Sequence, residues 1–411
     1  MSPSQPGAAA PPASRRTLLL TLLGQMAFGL LAMTICIPSM QEWGAQFGVA
    51  QPAVQLTFSG FVVTYGGLQL VYGPWSDRLG RRAVLMAGLA LAVVASFLAA
   101  LAPSIGWLTA ARVLQGAGAA AGMVVGRAMV QDEFQGPERT RVMAYVGMAM
   151  GLCPPLATVL GGQIHVWLGW QANFWLMGGL GLLLLGMAWR GLPARGGTAT
   201  AGSPGAARSG WWRSLLQSYA KLWHEPAFRW VVLMLSSATA AFYAFLAGTP
   251  LVLRSYGLGP DRIGFVIMCV PLSYIAGSFA TTRLARHRSG RWLMRAGQAF
   301  TLGGLSLLVL LAVAGVQSVA AFAMPLMLLG VGHGLMVPPA LATSVGLVPA
   351  LAGAAAAVVG LMQQLIGAVG GYVVGLLPQA SVAHLGALML GISVMGALAQ
   401  RMLHRRMSTV N

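Results

Sequence analysis

Twelve apolar runs constrain this chain more than anything else in it. They cover residues 17–39, 52–74, 83–102, 105–131, 142–164, 170–190, 229–250, 260–282, 293–314, 318–342, 350–375 and 382–402. Each is about the 20 residues that carry a helix across a bilayer. The sequence therefore predicts an all-α membrane protein, and an even number of crossings puts both termini on one side. Composition agrees: 57% of the 411 residues are hydrophobic and 8% are charged, and a mean hydropathy of +0.74 excludes a soluble globular class.

A net charge of +18 would suggest nucleic acid as a partner if the basic residues formed a patch on a folded domain. They are confined instead to short connections, so no nucleic acid is expected; the bilayer is the partner. Of the 25 Lys and Arg, only Arg254 and Arg262 fall on the second side, and Arg112 alone lies well inside a run. This asymmetry predicts that both termini are cytoplasmic. Residues 1–16, rich in Pro, Ala and Ser, are expected as a disordered tail. The apolar run that follows is too long for a cleaved signal and is expected to be retained. Cys36, Cys153 and Cys269 all fall in apolar runs and give neither a disulfide framework nor a zinc pattern.

The only long connection, 191–228, divides the chain into bundles of six spans at 17–190 and 229–402, with 403–411 as a second tail. Its first part is a low-complexity flexible linker. Its second, Trp211 to Trp223 (WWRSLLQSYAKLW), is expected as an amphipathic helix lying in the interface. The two bundles share a faint repeat. GLCPPLATVLGG, Gly151 to Gly162, aligns without a gap with GLMQQLIGAVGG, Gly360 to Gly371, at an offset of 209. Such a parallel repeat predicts a substrate site between the halves near the midplane.

Between the second and third runs stands GPWSDRLGRR, Gly73 to Arg82. Its charges cannot lie in hydrocarbon, so it is expected as a tight loop at the membrane surface. The spacing of Gly73, Asp77, Arg78, Gly80, Arg81 and Arg82 resembles the signature loop of the major facilitator superfamily. ARVLQGAGAAAG, carrying Arg112, Gln115, Gly116 and Gly118, with GRAMVQDEF and GWQANFW, resembles more closely the drug/proton antiporters of its bicyclomycin and chloramphenicol resistance branch. The resemblance covers Thr17 to Arg406. It implies a major facilitator fold in a bacterial inner membrane: twelve helices in two halves related by a parallel repeat. It implies no enzyme chemistry, cofactor or metal, and a functional monomer. It also implies a charge chain from Asp77 through Arg81 to Asp132, with Asp77 meeting the N-terminus of span eleven when the cytoplasmic side is closed.

The chain departs from that branch in ways that bear on function. An acid is common in the branch four residues before the proline closing span one; Thr34 stands there, and no acid lies within any span. The antiporter pattern of span five is degraded: only Gly161 and Gly162 remain, Cys153, Ala157 and Thr158 stand at its earlier fixed positions, and Pro154 and Pro155 supply a kink nearby. Arg112, about 10 Å deep by helical rise, is expected either to face the substrate path or to snorkel outward. The first reading predicts a preference for neutral or anionic ligands. The cavity is expected to draw on Gln25, Phe28, Tyr65, Met148, Phe242, Tyr243, Tyr274, His333, Met336, Met362, Gln363 and Gln364. His333 reads either as a hydrogen-bonded structural residue or as a proton carrier. The leading expectation is a secondary transporter exporting small drug-like molecules by alternating access, with protons as potential co-substrate. The alternatives are an uncoupled facilitator or metabolite carrier, and a sensor that does not transport.

Overall fold

The computed structural model describes residues 15–192, 217, 220–348, 351–377 and 381–408. The expected disordered start, most of the linker and the first part of the Trp211–Trp223 segment lie outside the described residues. Twelve described helices are long and apolar enough to cross a membrane. They are α1 (Arg15–Thr34), α2 (Gln51–Leu79), α3 (Arg81–Ala100), α4 (Ile105–Glu133), α5 (Gly136–Leu168), α6 (Gln171–Gly191), α7 (Pro226–Ser255), α8 (Pro260–Leu284), α9 (Gly290–Val313), α10 (Val319–Gly346), α11 (Ala352–Val374) and α12 (Val382–Ser408). The first span is broken. After α1 come a turn, a 3-10 turn at Ile37–Ser39 and a short helix, Met40–Gln46, because Pro38 has no N–H to continue the ladder.

Several helices outrun their apolar segments. A helix satisfies its own backbone in hydrocarbon and in the headgroup region alike, so apolarity marks the membrane boundary rather than the helix end. This corrects the expected loop at Gly73–Arg82. Residues 73–79 are the last turns of α2, Arg81 already begins α3, and Gly80 alone joins them, at φ 93°. That left-handed backbone region strains any side chain. Pro74 lies inside the helix, and the Ser76 hydroxyl donates to the Gly73 carbonyl at 2.7 Å.

The repeat seen in the sequence is a repeat of packing. Gly161 of α5 presses on the Ile35 carbonyl after α1, and Gly370 of α11 presses on the Ala240 carbonyl of α7. Each thus lies against the first span of its own half. The next glycine in each copy faces across the seam: Gly162 meets Pro260 of α8, and Gly371 meets Phe58 of α2. Within the first half, Gly116 lies on the Phe61 carbonyl of α2 and Gly118 on the Gly88 carbonyl of α3. With little hydrophobic drive between helices in lipid, such small residues let backbones approach closely.

Candidate functional site

The two halves meet firmly at one end. On the face opposite the arginine-rich connections, Arg254 of α7 donates to the Gln41 carbonyl at 2.5 Å, Gln55 of α2 to the Ala247 carbonyl at 3.3 Å and Gln163 of α5 to the Asp261 carbonyl at 3.3 Å. Deeper, Ser59 of α2 donates to the Ala368 carbonyl of α11 at 2.9 Å. The seam ends near the midplane. There Phe58 stands edge-on to Tyr243 at 5.5 Å, Gly66 abuts Gln364, and the Tyr243 hydroxyl donates to Gln364 Oε1 at 2.6 Å. Towards the basic face the same helices part: among the described residues, a Cβ added at Gly353 or Gly360 of α11 would meet nothing within 4 Å. The molecule is closed on the opposite face and open towards the basic one.

Just past the seam lies a cavity of about 230 Å³. Phe242, Tyr274, His333 and Gln363 of the sequence-based set line it, together with Pro154. Thr239 also lines it. It escaped the sequence reading, although a mid-span hydroxyl four residues before Tyr243 shares its face. Gln363 Nε2 donates to Thr239 Oγ1 at 3.0 Å, and Thr239 in turn donates to the Leu235 carbonyl at 3.1 Å. His333 is held by its glycines. Gly330 and Gly334 bring α10 onto α8, with Gly330 on the Val270 carbonyl and Gly334 on the Ser278 amide, while Gly332 brings it onto the Gly297 carbonyl of α9. His333 stays 5% exposed and lines the cavity. Among the described residues no hydrogen bond is made by its ring.

Other expected lining residues lie elsewhere. Arg112 is fully buried within the first half. Its Nη1 donates to the Ala32 carbonyl at 2.7 Å and to Gln115 Oε1 at 2.6 Å, and its Nη2 to the Met33 carbonyl at 3.4 Å. Its guanidinium lies 4.3 Å from the Phe61 ring centroid. The break after Thr34 leaves the last carbonyls of α1 without helical partners, and Arg112 caps them. Neither expectation for Arg112 holds: it faces backbone rather than a substrate path, and it does not snorkel. The inferred preference for anionic ligands loses its basis. Gln115 continues the chain by donating to Ser96 Oγ at 2.8 Å. Thr34 is buried and donates to the Leu30 carbonyl at 2.9 Å. Tyr65 stacks on Phe61 at 5.8 Å and abuts Gly29, with its buried hydroxyl unpartnered. Gln25, Phe28 and Met336 are buried, none of them in the cavity lining. The Met148 side chain lies outside the described residues.

At the basic face, Arg81 bridges Asp77 at 2.5 Å and Asp132 at 3.1 Å, and donates to Ser76 Oγ at 2.7 Å. Asp77, Arg81 and Asp132 are therefore brought together. In this open state Asp77 is 60% exposed and bonds its own neighbour rather than α11. Arg82 donates to the Trp189 carbonyl of α6 at 2.5 Å. Arg78, the last residue but one of α2, also has a partner.

Twelve spans in two pseudo-equivalent halves, closed at one end around a central cavity, define a membrane carrier. The profile of the Major Facilitator Superfamily matches residues 18–371, and the chain belongs to that superfamily: it is a multi-pass transporter working by alternating access, not an enzyme. It is 29% identical over 396 residues to the multidrug resistance protein D of Escherichia coli (strain K12), spanning 95% of this chain and 96% of that protein. It is 30% identical over 375 residues to the chloramphenicol resistance protein of Pseudomonas aeruginosa, spanning 89% and 86%. A crystal structure of a bacterial homologue of the human lysosomal transporter Spinster, described as inward-facing and unoccupied, superimposes with a TM-score of 0.75 at 14% identity over 95% of this chain and 96% of that one. The last likeness establishes the fold. The sequence relatives tie the chain to drug-resistance members of the superfamily and do not single out the bicyclomycin and chloramphenicol branch.

Proposed function

We propose that this carrier moves a compact, neutral and largely apolar organic molecule out of the cytoplasm of a bacterium, as a monomer, with the basic face cytoplasmic. The observation that carries the reading is the cavity beside the end of the seam. Its walls offer aromatic rings, an amide, a hydroxyl and an imidazole, and no carboxylate. Its volume of about 230 Å³ falls below the roughly 300–1,000 Å³ of drug-sized pockets. Arginine asymmetry supports the orientation, which makes the present state inward-open. The names of the drug-resistance relatives support export. In this reading Asp77, Arg81 and Asp132 form the gate that closes when the halves rock together on the cytoplasmic side.

A second reading, an uncoupled carrier of small metabolites, is favoured by the placement of the acids. All seven sit at helix ends, as Asp77, Asp132 and Asp261 do, so the cavity lining holds no carboxylate to carry a proton, and His333 is its one imidazole. Flux measured in proteoliposomes with and without a pH gradient separates the two. Coupled export is accelerated by an imposed gradient; an uncoupled carrier only equilibrates its substrate.

A further inference from the structure

A second concavity, about 530 Å³, opens between the start of α9 and the end of α12 on the basic face. Arg291 and Arg295 of α9 and Arg401 and Arg405 of α12 line it, each pair four residues apart and so on one face of its helix. Among the described residues no carboxylate pairs with Arg291, Arg295 or Arg401. Arg291, Arg295 and Arg401 bring three like charges around one hollow, which repel one another, and that cost is offset when an anion occupies it.

The floor of the hollow gives a second, independent indication. Gln400 and His404, 3% and 6% exposed, both line it. Among the described residues Gln400 Oε1 and His404 Nε2 are buried without a hydrogen-bond partner, whereas the neighbouring Gln298 donates to the Ser393 carbonyl at 2.9 Å. Buried polar atoms are normally paired. His404 Nε2 can donate to a phosphate oxygen, and Gln400 Oε1 can accept from a hydroxyl, so a ligand carrying both groups satisfies both atoms. Ala299, Leu302 and Ala397 form the apolar wall. Above it α9 and α12 expose Phe300, Leu307, Leu310, Leu398 and Met395, a surface suited to acyl chains.

We infer that the groove between α9 and α12 is a binding site for an anionic glycerophospholipid, its phosphate held by Arg291, Arg295, Arg401 and Arg405 and its headgroup hydroxyl by the Gln400 amide. Basic pockets between membrane helices recognise such headgroups, and arginine matches phosphate with paired donors. The site lies apart from the central cavity and does not depend on what the carrier transports.

The test uses the full chain purified in a non-ionic detergent, with lipid adducts counted by native mass spectrometry. The probes are phosphatidylglycerol, bisphosphatidylglycerol, phosphatidylcholine of matched acyl chains, and inorganic phosphate. The site predicts one tightly held anionic lipid, retained at least about tenfold better than phosphatidylcholine, a difference of about 1.4 kcal/mol. Arg295→Gln with Arg401→Gln should abolish that preference while leaving phosphatidylcholine adducts unchanged. Arg283→Gln with Arg286→Gln, which removes equal charge outside the groove, should preserve it. Equal loss in both double variants would mean diffuse charge attraction and overturn the site. Retention of inorganic phosphate without lipid preference would reduce it to an anion hollow, also against the proposal. A supporting result is faster flux in vesicles with phosphatidylglycerol than in pure phosphatidylcholine, lost in the Arg295/Arg401 variant.

Discussion

Gly264→Ala should push this carrier towards its other state. Gly264 of α8 faces α5 across the seam. A Cβ placed there would lie 2.6 Å from the Thr158 carbonyl oxygen, 2.8 Å from Val159 Cα and 3.0 Å from the Thr158 carbonyl carbon. All three are backbone atoms of the other half, so no side chain can swing aside; the helices must separate. Overpacking of this kind costs about 1–3 kcal/mol, and here the cost falls only on the state closed at the opposite face. The equilibrium should shift about 5- to 150-fold towards opening there. Spin labels at Gln46 and Ser255, exposed positions of the two halves on that face, should report a longer distance population in the variant. Gly88→Ala is the control: its Cβ would crowd Ala121 and lie 2.9 Å from the Gly118 carbonyl, inside one half, so it should lower stability without moving the labels. An unchanged Gln46–Ser255 distribution in well-folded Gly264→Ala would refute the claim that this seam is the closing surface.

Three further outcomes follow from the site. Asp77→Asn should weaken closure of the basic face by ~1 kcal/mol, since an amide serves poorly at a helix N-terminus; labels on the basic ends of α2 and α11 should then show a larger open population, and unchanged populations would leave Asp77 an anchor. Arg112→Met should lower thermal stability in detergent, at about 1–3 kcal/mol for each carbonyl left unpaired, whereas normal melting with altered substrate preference would return Arg112 to the transport path. His333→Gln should remove acceleration of flux by a pH gradient while sparing exchange at equal pH; persistence of that acceleration would exclude His333 as the proton carrier.

The twelve spans were legible because hydrocarbon demands about 20 apolar residues per crossing, and that demand is written in composition alone. Their ends were not, since α2 stays helical through Asp77 and α5 begins well before its apolar run. The glycine pair at 161 and 162, with its copy at 370 and 371, announced close packing, but not that one glycine of each pair faces its own half and the other the partner half. At the site, Phe242, Tyr274, His333 and Gln363 could be named from residue type and mid-span position. Thr239 was missed because a lone hydroxyl in a span more often bonds back to its own helix, as Thr249 does to Phe245. Arg112 was misplaced for a different reason. A buried charge in a membrane usually signals function, and sequence gave no hint that the broken end of α1 would supply the carbonyls to receive it.

The central claim is that a substrate crosses through the cavity lined by Phe242, Thr239, His333 and Gln363. It is tested most directly by counterflow in proteoliposomes, using a panel of small neutral, anionic and permanently cationic organic compounds on the intact chain and on Gln363→Ala and Phe242→Ala. The account predicts saturable flux of neutral compounds that falls about tenfold in the variants, equivalent to about 1.4 kcal/mol of lost binding, with folding unchanged. No saturable flux in either direction across the panel, or flux indifferent to both substitutions, would contradict it.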